Sequence, residues 1–240
     1  MAERIGQDII DLLTVPSTAT LTSVMRQLSI TNTFMHRVVP LRPDMRMAGP
    51  AFTLRYIPAR QDLDPGTIDN LQDVQRIGIE EIGQGQVLVI DARGDTRAGT
   101  MGSILATRIY QRGAVGVVTD GAFRDSPIIA EIGIPAYAVA MNANTNKTIH
   151  HPSEIQVPVA CGEVAVVPGD IIIGDGEGVV VVPTSIAEKV AEMAVAMEEK
   201  EDFLMEKIRA GASIVGIYPP DEKVLTEYEE WKRKKSAKNP

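Results

Sequence analysis

Two short runs, "VLVID" at 87–91 and "AVGVVT" at 114–119, are apolar almost throughout and flank "MGSILATRIYQR" at 101–112. This arrangement constrains the chain more than any other feature. A strand without a polar face needs cover on both sides, which is the condition of a parallel sheet rather than of a solvent-facing hairpin. The segment between them reads as a helix over 101–112, closed by Gly113. Strand, helix and strand over about 30 residues form a βαβ unit with a right-handed crossover.

The rest of the chain fits around this unit. Ile5, Ile9, Leu12 and Leu13 recur at helical spacing before Pro16, so the N-terminal 18 residues carry a helix. A second helix is expected over 20–28, strands at "HRVVPL" and "MAGPAFTLRYI", and a helix over 68–82 on the stripe Ile68, Leu71, Val74, Ile77 and Ile82. "SPIIAEIG" predicts a short helix and "IPAYAVA" another strand. Beyond about residue 155, short apolar strands punctuated by "PGD" and "GDGEG" predict an antiparallel or mixed β region. Ser185 and Glu188 form a capping-box pattern at the start of a long helix over 186–209, stopped by Gly211, and 212–240 read as a proline-led tail able to pack on a neighbouring subunit. With no repeat and no linker, residues 1–240 are expected to form one α/β domain with a central βαβ unit and a long C-terminal helix.

Composition narrows the function classes. A formal charge of −8 and a pI near 5.0 argue against nucleic acid as the main partner. The basic run Lys232-Arg233-Lys234-Lys235 reads as a solvated end. No stretch approaches the length of a membrane span and the N-terminus lacks a signal-peptide core, so a cytoplasmic location is expected. The single cysteine, Cys161, lies in an apolar run and reads as buried filler. His150-His151 lack a third ligand at zinc spacing and read as an exposed turn. "GDGEGVV" at 174–180 reads as a turn between strands rather than a metal loop.

Ligands of parallel α/β sheets bind outside the carboxyl ends of the strands. The first strand of the unit leads through "ARGDTRAGT" to a helix start at Gly102, and the second delivers Gly121, Arg124 and Asp125. Adjacent parallel strands bring both loops to one edge. A helix start offers unpaired amides to an anion, Gly102 permits close approach, and Arg124 presents a fork that matches a carboxylate. Asp125 can hold a hard divalent cation through oxygen. Such a pocket suits a small carboxylate with a polarised neighbouring oxygen, hence C–C cleavage or decarboxylation beside a carbonyl. A surface Arg–Asp pair without function is the competing reading at this point.

"MGSILATRIYQRGAVGVVTDGAFRDSP" resembles the central signature of the family that contains regulator of ribonuclease activity A and the 4-hydroxy-4-methyl-2-oxoglutarate/4-carboxy-4-hydroxy-2-oxoadipate aldolases. "ATLTSVMRQL", "MAGPAFTLRYIPARQDLD" and "VVPGDIIIGDGEGVVVVP" resemble its other segments in the same order, from about residue 19 to 210. The resemblance implies a swivelling β/β/α fold, a homotrimer or homohexamer, and sites near subunit boundaries. It implies that the backbone of Gly102, Ser103, Ile104 and Leu105 binds a 2-oxo acid, that Arg124 clamps and polarises it, and that Asp125 ligates Mg²⁺ or Mn²⁺. The family's aldolases carry an Asp, expected to position a proton-exchanging water, where this chain has Ser103. A serine hydroxyl is a poor proton acceptor at neutral pH, so Asp91, Asp95 or Glu80 would have to serve, or retro-aldol activity is weakened while oxaloacetate decarboxylation survives.

The expected function is therefore a divalent-metal-dependent lyase acting on a small 2-oxo acid. The alternative is a non-catalytic regulator that binds a protein partner such as ribonuclease E. Arg55, Tyr56, Arg60 and Asp62 either rim the pocket or contact a neighbour, and Glu198, Glu199, Glu201 and Asp202 read as a solvated face with one able to reach an adjacent subunit.

Overall fold

The computed structural model describes residues 5–64 and 69–238. In chain order the helices are α1 (Gln7–Leu13), α2 (Thr18–Gln27), α3 (Val74–Glu81), α4 (Ser103–Gln111), α5 (Ser126–Ile132), α6 (Ala187–Arg209) and α7 (Glu222–Lys238). The strands are β1 (Val39–Pro40), β2 (Met47–Pro58), β3 (Val87–Asp91), β4 (Gly99–Met101), β5 (Gly116–Phe123), β6 (Ala136–Met141), β7 (His150–Ile155), β8 (Val159–Cys161), β9 (Val164–Val166), β10 (Ile171–Gly174) and β11 (Val179–Val182).

β3 and β5 are parallel neighbours, registered Val87 to Gly116 through Ile90 to Thr119, with α4 as the crossover. β2 and β6 extend the parallel core on either side. The sheet then turns mixed, with the order β1-β6-β5-β3-β2-β10-β11 and antiparallel pairing at both ends. β4 and β7 add to it beside β5 and β2.

Side-chain alternation explains why the strands carry no polar face. In β3, Leu88 and Ile90 pack under α3, α4 and α5 with Ile79, Ala106, Ile109 and Ile129. Val87 and Val89 point the other way, where the β8–β9 hairpin supplies Val159, Cys161, Val164 and Val166. Helices therefore cover one face and β structure the other, the β/β/α layering expected. Each fully buried aliphatic side chain contributes about 1.5–3 kcal/mol of burial free energy. α1, α2 and the first half of α6 pack on the outer face of β10 and β11 through Ile171, Ile173, Val180 and Val182. Gly113 takes φ +86 after α4, and the amides of Gly113 and Ala114 bond the last-turn carbonyls of Tyr110 and Ile109.

Several expectations change. Met101 belongs to β4 rather than to the helix, and "HRVVPL" yields only the two-residue β1. β5 continues to Phe123 instead of stopping at Thr119, which puts Gly121 inside the strand, where a Cβ would lie 2.6 Å from that of Ala92. α3 starts at Val74 behind its N-cap Asp73, whose carboxylate accepts from the Arg76 amide (3.1 Å); Ile68 lies outside the described residues. No capping box forms at α6, because Thr184–Ile186 make a 3-10 turn and the N-cap position falls on Ile186. His150 and His151 lie in β7, not in an exposed turn, since long-range pairing with Pro58 and Ile57 recruits them into the sheet. In the 212–240 tail, Glu222–Lys238 form a helix whose Tyr228 and Trp231 rings pack 5.6 Å from that of Phe203 on α6. No helix among the described residues is long and apolar enough to cross a membrane.

Candidate active site

The βαβ unit brings both predicted loops to one cleft. β4 pairs with the end of β5, and the Arg124 amide donates to Met101 O (2.9 Å), so Arg124 emerges beside the start of α4. Gly99 and Gly102 make that approach possible: Cβ atoms there would lie 2.7 Å from Arg124 Cβ and 2.9 Å from Asp125 Oδ2. Gly102, Ile104, Leu105, Arg124 and Asp125 all line a cleft of about 330 Å³. Ser103 does not line it but bonds to Asp125, which does. The Arg124 side chain is 49% exposed, and its Nε lies 3.7 Å from Asp125 Oδ1, too far for a hydrogen bond.

Asp125 plays a part not foreseen from the sequence. Its backbone is left-handed (φ +57), a conformation Asp tolerates, and this aims its carboxylate back at α4. Oδ2 accepts from the Ser103 amide (3.3 Å) and the Ser103 hydroxyl (3.2 Å). The first anion at this helix start is thus the protein's own carboxylate, as the helix dipole favours. Ser103, standing where a second carboxylate is expected, is a hydrogen-bond donor to Asp125.

The opposite wall was missed. Gln75 and Arg76, in the first turn of α3, line the same cleft, together with Asn146. Gln75 is 2% exposed; it donates to Thr100 O (2.8 Å) and accepts from Asn146 Nδ2 (2.9 Å). Tyr56 is buried behind them and donates to the same carbonyl (3.0 Å), and burial holds its hydroxyl above the usual phenol range. The signal for this wall was Asp73: as the N-cap it sets the start of α3, placing Arg76 at the mouth of the sheet rather than in mid-helix.

Other candidates fall elsewhere. None of Asp91, Asp95 and Glu80 lines the cleft. Asp91 is buried and bonds the Arg93 and Ala160 amides, Asp95 pairs with Arg97, and Glu80 pairs with Arg108. The Arg97 guanidinium holds the Asp95 carboxyl at about 2. Arg55 pairs with Glu154 and Arg60 with Asp62. Glu198 accepts from the Thr20 hydroxyl within the same chain. Asp175 of the 174–180 turn is buried and receives the Thr18 amide and hydroxyl, a structural role. Cys161 is buried, which pushes its thiol well up. His150 is fully buried, stacks on Tyr56 (5.3 Å between centroids), and is held below the usual imidazole range by burial. A second cleft of about 320 Å³ contains Asp64, Asp73, Lys147 and His151, which pair among themselves.

Residues 9–181 match the family profile described as RraA-like (Aldolase/RraA). The chain belongs to the RraA-like family. A Halalkalibacterium halodurans relative, provisionally named 4-hydroxy-4-methyl-2-oxoglutarate aldolase, is 29% identical over 189 residues, 79% of this chain and 84% of that protein. The 4-hydroxy-4-methyl-2-oxoglutarate aldolase of Thermus thermophilus is 35% identical over 106 residues, 44% of this chain and 63% of its own length. The Legionella pneumophila protein DlpA is 26% identical over 178 residues, 74% of this chain, and the match spans only 28% of DlpA. Among solved structures, Streptomyces coelicolor RraAS2, described as an unusual member of the RNase ES inhibitor RraA protein family, superposes with a TM-score of 0.76 at 30% identity, covering 85% of this chain and 98% of that one. This RraA-like chain thus resembles both proteins named as aldolases and a member of an inhibitor family.

Proposed function

We propose that this RraA-like protein is a divalent-metal-dependent lyase for a small 2-oxo acid, cleaving a 4-hydroxy-2-oxo acid by retro-aldol reaction, decarboxylating oxaloacetate, or both. One observation carries the reading: Arg124, Asp125 and the start of α4 face a single cleft. The Arg124 fork, whose Nε lies 3.7 Å from Asp125 Oδ1 without a hydrogen bond to it, is matched to the carboxylate and enolate oxygens of a 2-oxo acid. The amides that follow Ser103 at the start of α4 add fixed dipoles where negative charge develops.

Mg²⁺ or Mn²⁺ fits the residues present in a limited way. Asp125 supplies one hard, partly exposed carboxylate and Ser103 a hydroxyl, while no group of three His, Cys, Asp or Glu occurs among the described residues. One carboxylate with substrate oxygens and waters is a usual Mg²⁺ environment. When bound, the cation would supply Lewis-acid polarisation of the 2-oxo group. Ser103 donates to Asp125 and is a poor proton acceptor, and among the described residues no other carboxylate lines the cleft. Decarboxylation is therefore the better supported half of the reading, because departure of CO₂ leaves the enolate without removing a proton from the substrate. Purified protein with Mg²⁺ and oxaloacetate is expected to form pyruvate faster than metal alone, and Arg124→Ala to lower that gain at least ~100-fold.

Ser103 and the likeness to RraAS2 favour a second reading, a regulator that binds a protein partner. Thermal melting separates the two. A joint rise in melting temperature with Mg²⁺ and oxalate supports the lyase, and no shift supports the regulator. We further propose a homotrimer or homohexamer; Ile104, 81% exposed at the cleft, suits cover by a neighbouring subunit.

A further inference from the structure

We infer that Gln75 is a positioning residue: through the Thr100 carbonyl it sets where the amides at the start of α4 stand in the cleft. The inference rests on the lyase reading of that cleft.

β4 runs straight into Gly102, the N-cap of α4, which has no side chain to bond the first amides. Among the described residues β4 pairs with β5 alone, and the register shifts between Gly99 and Met101. Its remaining backbone groups lack a second strand, yet buried ones must still find partners. The Thr100 carbonyl takes two: Gln75 Nε2 donates at 2.8 Å and the Tyr56 hydroxyl at 3.0 Å. The Thr100 hydroxyl in turn donates to Ala122 O of β5 (3.0 Å), and the Gly99 amide to Asn144 O (2.9 Å). Thr100 stands two residues before Gly102, a link with little slack.

Gln75 differs from Tyr56 in what stands behind it. Its Oε1 accepts from Asn146 Nδ2 (2.9 Å), and Lys147, one residue on, pairs with Asp73, the N-cap of α3. The first turn of α3 and the 144–148 segment are thus clasped at two adjacent points, and Gln75 passes that restraint to Thr100. At 2% exposure, with both ends of its amide engaged, Gln75 costs more to bury than an apolar residue of its size. What a satisfied buried network provides instead is one defined geometry. Where amides must be aimed at developing charge, an error of about 1 Å changes the rate by up to ~100-fold.

The test compares Gln75→Met, which keeps the length and loses both bonds, with Gln75→Glu, whose carboxyl donates to Thr100 O only when protonated. In Mg²⁺-dependent oxaloacetate decarboxylation at about pH 8, both should lose at least ~10-fold in kcat with KM within about threefold, because the amides act on charge that develops in the transition state. On acidification to about pH 5.5, Gln75→Glu should recover relative to the intact protein and Gln75→Met should not, burial helping the introduced carboxyl to hold its proton. Nitrogen-15 relaxation reads the same role without turnover. Amide order parameters at Ser103, Ile104 and Leu105 should fall in Gln75→Met from the rigid value of about 0.85, while β3 keeps it. Asn146→Ala, at a half-buried position, should act in the same direction and serves if Gln75→Met fails to fold. A kcat within about twofold of the intact protein in both Gln75 variants, a change confined to KM, or no recovery of Gln75→Glu in acid overturns the role of Gln75. If the intact protein shows no Mg²⁺-dependent turnover, the lyase reading falls; a drop in order at 103–105 then still supports the positioning role, and unchanged order overturns it.

Discussion

A methyl group on Gly102 would sit 2.9 Å from Asp125 Oδ2, although the backbone there (φ −115, ψ −178) is open to any residue. The cost of Gly102→Ala is therefore steric and falls on a rotatable carboxylate. The variant should keep its melting temperature within the effect of about 1 kcal/mol and lose at least ~10-fold in Mg²⁺-dependent pyruvate formation. Unchanged turnover would separate Asp125 from the chemistry. Asp120 makes a different prediction. It is buried, accepts from the Ala92 (2.7 Å) and Gly94 (2.9 Å) amides, and its carboxyl is pushed up to about 6 by burial, with Asp91 adding to the rise. Between about pH 4, where an unfolded Asp releases its proton, and about pH 6, the native state keeps a proton that the unfolded chain has lost. The native form is thus favoured at the acid end, and this group's contribution is lost as pH rises through the window, by up to about 1.4 kcal/mol per pH unit. Urea unfolding across pH 4–6 should show that slope as the difference between the wild type and Asp120→Asn; parallel curves would contradict it.

At the scale of elements, α7 and the distal half of α6 form a cluster of their own around Phe203, Leu204, Ile217, Val224 and Tyr228, apart from the sheet cores. Such a unit opens locally at less than the global free energy. Amides of α7 should exchange with solvent well before those of β3 and β5, and Phe203→Ala should speed that exchange, at a local cost of about 3–5 kcal/mol, while leaving the response to Mg²⁺ and oxalate intact. Exchange of α7 together with β3 would refute its independence. The β3–α4–β5 unit was legible because uniform burial writes itself as uniform hydrophobicity and Gly113 marks the helix end; β3 is bounded as read, 87–91. α7 was legible in principle, since Val224, Tyr228 and Trp231 stand at i, i+4 and i+7, but prolines and a dense run of charges masked the stripe. β4 and the histidines of β7 carried no local signal, because three residues show no periodicity and only pairing with β2 draws His150 inside. The Arg124 half of the cleft followed from topology; the Arg76 half depended on where α3 begins.

Across the whole molecule, helices on one face and the β8–β9 hairpin on the other hold the parallel strands rigidly, so that loops from β3 and β5 and the first turn of α3 meet at one edge. Light scattering should return three or six times the 26.0 kDa of one chain, and a monomer would remove the proposed cover from Ile104. The central claim is that Arg124 and the start of α4 grip one anion beside a cation held by Asp125. A crystal soaked with Mg²⁺ and oxalate measures this directly. The account predicts oxalate between the Arg124 guanidinium and the α4 amides, with Mg²⁺ on the Asp125 side, while an empty cleft at saturating concentrations, or oxalate bound out of reach of Arg124, would contradict it.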